Sequence, residues 1–295
     1  MNDILNETKF IMKKYGIRAN KSLGQNFLID DAVVSKIIDA SDISKNDLII
    51  EIGPGLGTLT SLLLEKSKKV ICIELDSKMI NILHDRFSLY DNIEIINEDV
   101  LKVNLNDLIE KEKKQNEIKD VKVVANLPYY ITTPIIMKLL EDELDLSSII
   151  VMVQKEVADR LIAIPGEKNT GAITYSVYYY ASSEKILEVP NTAFIPEPEV
   201  TSEVIRLNIR KEPVVNPKNV DLMKKIIKNA FTQKRKTLIN SLTNTKIFSS
   251  KQVGEEILKN LKIDEKIRPE ELTLQQFADI SDMLNNLWCY SNFII

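Results

Sequence analysis

The sequence predicts an α/β chain: a parallel sheet covered on both faces by helices, followed by a small all-helical C-terminal domain. Three observations lead there. Apolar runs with no polar alternation stand at 48–52 (LIIEI), 69–75 (KVICIEL), 92–97 (NIEIIN), 122–126 (KVVAN) and 147–154 (SSIIVMVQ), as strands buried on both faces do. Amphipathic stretches at 58–66, 77–87 and 134–141 separate them, which is the order of a doubly wound, Rossmann-like sheet. Past Arg210 the segment KEPVVNPKNV carries two prolines, and beyond it the apolar spacing turns helical at Leu222, Ile226, Ile227 and Ala230.

Each element follows from its residues. The segments 185–189 and 202–209 read as two further strands around the Pro-rich connector PNTAFIPEPEV, finishing the sheet as a hairpin. The expected division is residues 1–210, with a basic N-terminal segment, and 211–295. A chain of 295 residues suits two domains at roughly 150 each.

Composition narrows the class. A net charge of −4, with 44% hydrophobic and 28% charged residues, is that of a soluble globular protein. The longest apolar runs, such as 149–153, are too short to span a bilayer, and MNDILNETKF lacks the basic and apolar regions of a secretory signal. A cytoplasmic location is expected. Cys72 and Cys289 are far apart and the sole histidine, His84, sits in a helical stretch, so neither a disulfide framework nor a metal site is expected.

Charge is segregated along the chain. Between 201 and 251 twelve basic residues stand against three acidic ones, and the stretch 8–22 has five basic residues and no acid. Such clustering suits a polyanion, because each cation near a phosphate releases condensed counterions.

The most informative segment is EIGPGLGTLT, a strand-to-helix turn with Gly53, Gly55 and Gly57. Glycine there lets the backbone approach a ligand closely. Dinucleotide fingerprints place the third glycine three residues after the second, whereas here it falls two after, which counsels against NAD; no GKS or GKT is present for a phosphate-cradling loop. Glu74 ends the next strand, placed to accept from ribose hydroxyls, and Asp99 follows the third, where a carboxylate can accept from an adenine amine. Together they describe an adenosyl pocket with no phosphate to bind, which fits S-adenosylmethionine in a Rossmann-like methyltransferase sheet.

The fourth strand runs into Asn126-Leu127-Pro128-Tyr129. The lone pair of an adenine N6 is delocalised into the ring, so two acceptors must draw the amine protons out of plane before the nitrogen can attack a methyl. The Asn126 side-chain oxygen and the Leu127 carbonyl suit that task, Pro128 stiffens the turn, and Tyr129 offers a stacking face. Phe194 is the expected second wall of an aromatic sandwich around the extruded base. No strong base is required, since the alkylated amine is acidic enough to release its proton to water.

KSLGQNFLID, EIGPGLGTLT, ICIELD, NEDVLK, NLPYYITTP, AFIPEPEVTS, AFTQKRKTLINSL and RPEELTLQQFADI, in this order, resemble the ribosomal small-subunit RNA adenine N6,N6-dimethyltransferases. The resemblance runs from Lys21 to Leu284. It implies dimethylation of two adjacent adenosines near the 3′ end of the small-subunit 16S rRNA, with S-adenosylmethionine as cofactor, on an immature ribosomal subunit as part of late assembly. By resemblance, Gln25, Asn26 and Leu28 belong to a loop touching the cofactor, Gly53, with Gly55 beside it, to its methionine side, Glu74 to its ribose and Asp99 to its adenine. Asn126 is shared by cofactor and target, and Tyr129 and Phe194 form the aromatic pair. Lys21, Lys234, Arg235 and Lys236 are the implied RNA contacts, and a monomer without metal or membrane association is expected. Two alternatives share parts of the pattern: a large-subunit rRNA adenine methyltransferase conferring macrolide resistance, and a non-catalytic assembly or RNA-binding factor. The helix FTQKRKTLINSL argues against the first, and intact Glu74, Asp99 and NLPY against the second.

Overall fold

The structure, a computed structural model, describes residues 3–19, 24–167, 169–233 and 235–291, the side chains of 288–291 excepted. Two compact units emerge: Met1–Ala158 with Ser183–Ile209, and Asp159–Ser182 with Arg210–Ile295. The sequence placed one boundary at 210. The last crossing does fall there, between Ile209 and Arg210, but the chain has already made an excursion through 159–182.

In chain order the first unit opens with α1 (Ile4–Lys14), β1 (Phe27–Leu28), α2 (Asp31–Ala40), β2 (Leu48–Ile52), α3 (Thr58–Lys66) and β3 (Lys69–Glu74). There follow α4 (Ser77–Arg86), β4 (Ile93–Asn97), α5 (Leu105–Gln115), β5 (Val121–Asn126), α6 (Thr132–Glu141) and β6 (Ser148–Gln154). After α7 (Lys155–Ile162) and α8 (Ala172–Tyr180) the chain returns through β7 (Ala181–Val189), β8 (Phe194–Ile195) and β9 (Ser202–Ile209). The strand β7 begins four residues before the expected 185.

Among the described residues the main sheet has the order β4-β3-β2-β5-β6-β9-β7. The strands β2 to β6 run parallel, and β9 is antiparallel to β6 with Ile149 opposite Leu207. Burial explains the composition: every residue of β2 is buried, whereas the edge strand β4 is half-buried and carries Glu94. From β2 the chain winds outward through β3 to β4, then returns to lay β5 against the other side of β2. The reversal leaves a crevice beyond the carboxyl ends of β2 and β5, where open α/β sheets bind ligands.

Side-chain caps start the helices that apolar spacing alone did not reveal. Asp30 accepts from the Ala32 and Val33 amides to open α2, and Asn104 accepts from Asp107 to open α5, whose only buried residues are Leu105, Ile109 and Glu112. The helix α1 is held by Arg86, which donates to the Glu7 carboxylate and to the Leu56 carbonyl of the glycine turn. A separate antiparallel pair, β1 with β8, sets Leu28 opposite Phe194.

The second unit contains α8 together with α9 (Val220–Ala230), α10 (Leu238–Asn244), α11 (Lys251–Asn260) and α12 (Leu274–Ser291). Its core gathers Tyr175 and Tyr179 from α8 with Ile226, Leu238, Phe248 and Phe277. The Tyr175 hydroxyl donates to the Leu272 carbonyl at 2.7 Å, a buried partner for a buried polar group. The expected assignment of 159–182 to the first unit is therefore corrected: the rings of α8 fill a helical core. Among the described residues no helix is long and apolar enough to cross a membrane, and no group of three or more His, Cys, Asp or Glu could hold a metal. His84 lies exposed on α4, and Cys72 is a buried free thiol.

Candidate functional site

The crevice is built from four strand ends and one loop. Its floor is the turn after β2. Gly53 has φ +67°, a left-handed backbone that favours glycine, and it sits beside the turn after β5, where a Cβ would make ordinary contact with the Pro128 ring at 3.8 Å and the Asn126 carbonyl at 3.9 Å. Gly57, at φ +83°, caps α3 and packs under Phe87.

Glu74, the last residue of β3, is 8% exposed. One carboxylate oxygen accepts the Gly55 amide at 3.1 Å and the other the Asp76 amide at 2.9 Å. Burial pushes its carboxyl above the usual range against the pull of these amides. The turn and the acid are thus one rigid unit. Asp99 accepts from the Leu101 amide at 3.0 Å, which orients it at the end of β4.

The loop carrying Gln25, Asn26 and Leu28 forms one wall of the pocket, with Gly53, Glu74, Asp99 and Asn126 among the residues opposite it. Gln25 donates to Asp76 at 2.9 Å, and Asp76 in turn caps α4. The Asn126 amide nitrogen donates to the Asn26 carbonyl at 3.3 Å. That bond decides which way the amide points: with Nδ2 engaged, Oδ1 is left as the acceptor. The Leu127 N–H donates to the Met152 carbonyl at 3.1 Å, which pins the turn to β6. The Pro128 carbonyl accepts from Ile131 at 3.2 Å and from the Thr132 hydroxyl at 3.1 Å. The Leu127 carbonyl accepts no hydrogen bond among the described residues, so it and Asn126 Oδ1, both of residues that line the pocket, are available as acceptors.

Tyr129 is held by a 2.6 Å hydrogen bond between its hydroxyl and that of Ser202, a fully buried residue at the start of β9. Burial raises the phenol above its ordinary value, so it stays protonated. Ser202→Ala should free the ring and lower kcat/KM about fivefold, the worth of roughly 1 kcal/mol of hydrogen bond. In a Tyr129→Phe background the same change should cost nothing further, as a double-mutant cycle would show.

Phe194 is 1% exposed, is not among the residues that line the pocket, and packs with Leu28, Val34 and Val204 in the core of the first unit. Arg235 and Lys236 are exposed just before α10 in the second unit. Lys21 and Lys234 lie outside the described residues.

Sequence reasoning passed over Glu51, Glu98, Tyr130 and Ser202. A signal for Glu51 existed, a carboxylate within an otherwise apolar strand. It is 2% exposed, accepts from the Thr60 hydroxyl at 2.6 Å, and burial pushes its pKa up to about 7. The folded chain therefore keeps this proton up to near pH 7, while the unfolded carboxylate releases it near 4.5. Stability falls as pH rises through that window. Glu51→Gln should melt higher than the parent at pH 8 and close to it at pH 5.

The electrostatics select the ligand class. Among the described residues four acidic side chains line the pocket, Glu51, which burial keeps protonated up to near pH 7, and Glu74, Glu98 and Asp99, and no Lys, Arg or His does. A pyrophosphate would meet uncompensated negative charge here; a ligand bearing cationic groups is complementary.

Residues 16–286 match the family model described as ribosomal RNA adenine dimethylase. The chain is 47% identical over 275 residues to a ribosomal RNA small subunit methyltransferase A of Alkaliphilus metalliredigens (strain QYMF), covering 93% of this chain and 95% of that one. It is 46% identical over 280 residues to a protein of the same name from Bacillus pumilus (strain SAFR-032), covering 94% and 95%. Among solved structures, a dimethyladenosine transferase from Plasmodium falciparum superposes with a TM-score of 0.72 at 27% identity, covering 88% of this chain and 98% of that one.

Proposed function

Since the chain belongs to the ribosomal RNA adenine dimethylase family, we propose that its pocket dimethylates adenines of small-subunit ribosomal RNA at N6 with S-adenosylmethionine as methyl donor. The observation that carries the reading is the pair of acceptors, Asn126 Oδ1 and the Leu127 carbonyl, in a pocket whose charged lining among the described residues is acidic. When bound, S-adenosylmethionine supplies an electrophilic methyl group on a sulfonium.

The residues present fit that cofactor. Glu74 holds the ribose hydroxyls with the lone pairs its two backbone amides leave over, and Asp99 takes the adenine amine. Gly53 gives the methionine end close access to the backbone, Gly55, which does not line the pocket, holds Glu74 through its amide, and the loop of Gln25, Asn26 and Leu28 closes over the cofactor. Asn126 Oδ1 and the Leu127 carbonyl accept the two N–H protons of the target amine, turning its lone pair out of the ring plane. Tyr129 stacks on the target base, its angle fixed by Ser202. Such preorganised acceptors do their work without reorienting during the reaction.

The second unit and the basic N-terminal segment contribute RNA contacts, with the target on an incompletely assembled small subunit and the protein acting as a monomer. Replacing Arg235 and Lys236 by alanine should weaken RNA binding and flatten the log–log salt dependence by up to about 1.8 units, at about 0.9 per phosphate contact. An unchanged slope would mean that both charges face only water.

The deciding experiment incubates the protein with methyl-labelled S-adenosylmethionine and, separately, undermethylated small subunits and large subunits, then maps the labelled adenines. Label confined to two adjacent adenines of the small subunit is expected. Label in the large subunit would move the reading to the resistance-type enzymes, and none in either to a binding factor.

A further inference from the structure

Two tyrosines follow Pro128, and the mechanism uses only the first. Tyr129, Tyr130 and Ile131 form a single 3-10 turn, in which consecutive side chains point about 120° apart. Tyr129 is turned toward Ser202 and tied to it. Tyr130 points elsewhere: it lines the pocket yet is 54% exposed, and its hydroxyl has no hydrogen-bond partner among the described residues. Its ring lies against Gly24, where a Cβ would stand 3.4 Å from Cδ1 and 3.7 Å from Cε1. The glycine, at φ +62°, lets the loop backbone back the ring on one side. An aromatic ring backed by a loop and open to solvent at the mouth of a base pocket is a stacking surface looking for a second layer.

Resting on the function proposed above, we infer that Tyr130 is the stacking platform for the nucleotide next to the target adenine. Drawing one base out of a strand strips its neighbour of a stacking partner as well. The Tyr129 ring serves the base inside the pocket, and the Tyr130 ring, one residue on and facing outward, receives the base that stays at the mouth. Stacking of this kind reads no base edge, so Tyr130 contributes to RNA affinity and to holding the target strand still, and not to the choice among neighbouring bases.

The test compares Tyr130→Ala, Tyr130→Phe and the unaltered protein. Each is assayed for methylation of a small-subunit RNA substrate and for S-adenosylmethionine binding by calorimetry. RNA carrying 2-aminopurine, either at the target or beside it, reports stacking by quenched fluorescence. Tyr130→Ala should lower kcat/KM for RNA on the order of 5- to 150-fold, mainly through KM. Cofactor affinity should stay within twofold. Quenching should vanish at the flanking position and persist at the target, with Tyr130→Phe restoring most of it. Unchanged kcat/KM for RNA overturns the inference. So does loss of quenching at the target, and so does weakened cofactor binding, which would make the ring a prop for the Gly24 loop. If the unaltered protein methylates no RNA, the parent reading fails before Tyr130 is tested.

Discussion

Asn126→Ala should slow methyl transfer on the order of 100- to 1,000-fold in single-turnover assays with saturating RNA and S-adenosylmethionine, while both ligands bind within a few-fold of normal. The size follows from what the side chain does. Its Nδ2 is spent on the Asn26 carbonyl at 3.3 Å, so Oδ1 is the oxygen offered to the target amine, and alanine removes it with nothing near to replace it. The Leu127 carbonyl, fixed through its own amide on Met152, would then hold one N–H alone and leave the other in the ring plane. Asn126→Asp separates acceptor from donor. It keeps an oxygen for the amine, replaces the bond to Asn26 with a repulsive contact between two oxygens, and should still retain clearly more activity than alanine. Equal rates for the two variants would show that amine alignment is not the role of this residue.

Gly57→Ala should destabilise the protein by about 2–5 kcal/mol in urea unfolding. A left-handed backbone costs a residue with a Cβ roughly 1–2 kcal/mol, and overpacking a filled core typically about 1–3 more. Both apply here. The backbone sits at φ +83°, and the new Cβ would stand 2.6 Å from Phe87 Cε2, 2.9 Å from its Cζ and 3.1 Å from Leu83 Cδ2. Phe87 is buried in the core beside Leu59 and Leu63 and cannot swing into solvent without opening it. A loss under about 1 kcal/mol would mean that the turn and Phe87 shift freely. In that case the Gly55 amide would also leave Glu74, and cofactor affinity would fall without a stability change.

Most of the sheet was legible because strands buried on both faces have an unmistakable composition; β2, with all residues buried, matched residue for residue. What was missed follows a pattern. The helix α5 is mostly charged, its buried stripe reduced to Leu105, Ile109 and Glu112, and owes its start to Asn104, and α8 is an aromatic run, AITYSVYYY, whose burial depends on helices that come much later in the chain. In the site, Gly53, Glu74, Asp99 and Asn126, singled out from their spacing at strand ends, all line one pocket. The burial of Phe194 was not legible, because it sits in a two-residue strand paired with β1, and so short a pairing leaves no periodic signal. Ser202 was missed for a related reason, since its importance lies in a partner 73 positions away.

The early detour of 159–182 into the second unit has a bearing on how the polypeptide matures. Synthesised from the amino end, α8 emerges with Tyr175 and Tyr179 exposed, and their burial waits until the chain from 210 onward has been made. The strand β9, which pairs with β6, also comes after α8. No single proteolytic cut therefore frees either half intact: cleavage at 210 would leave the first piece with bare tyrosines and the second without the helix that completes its interior.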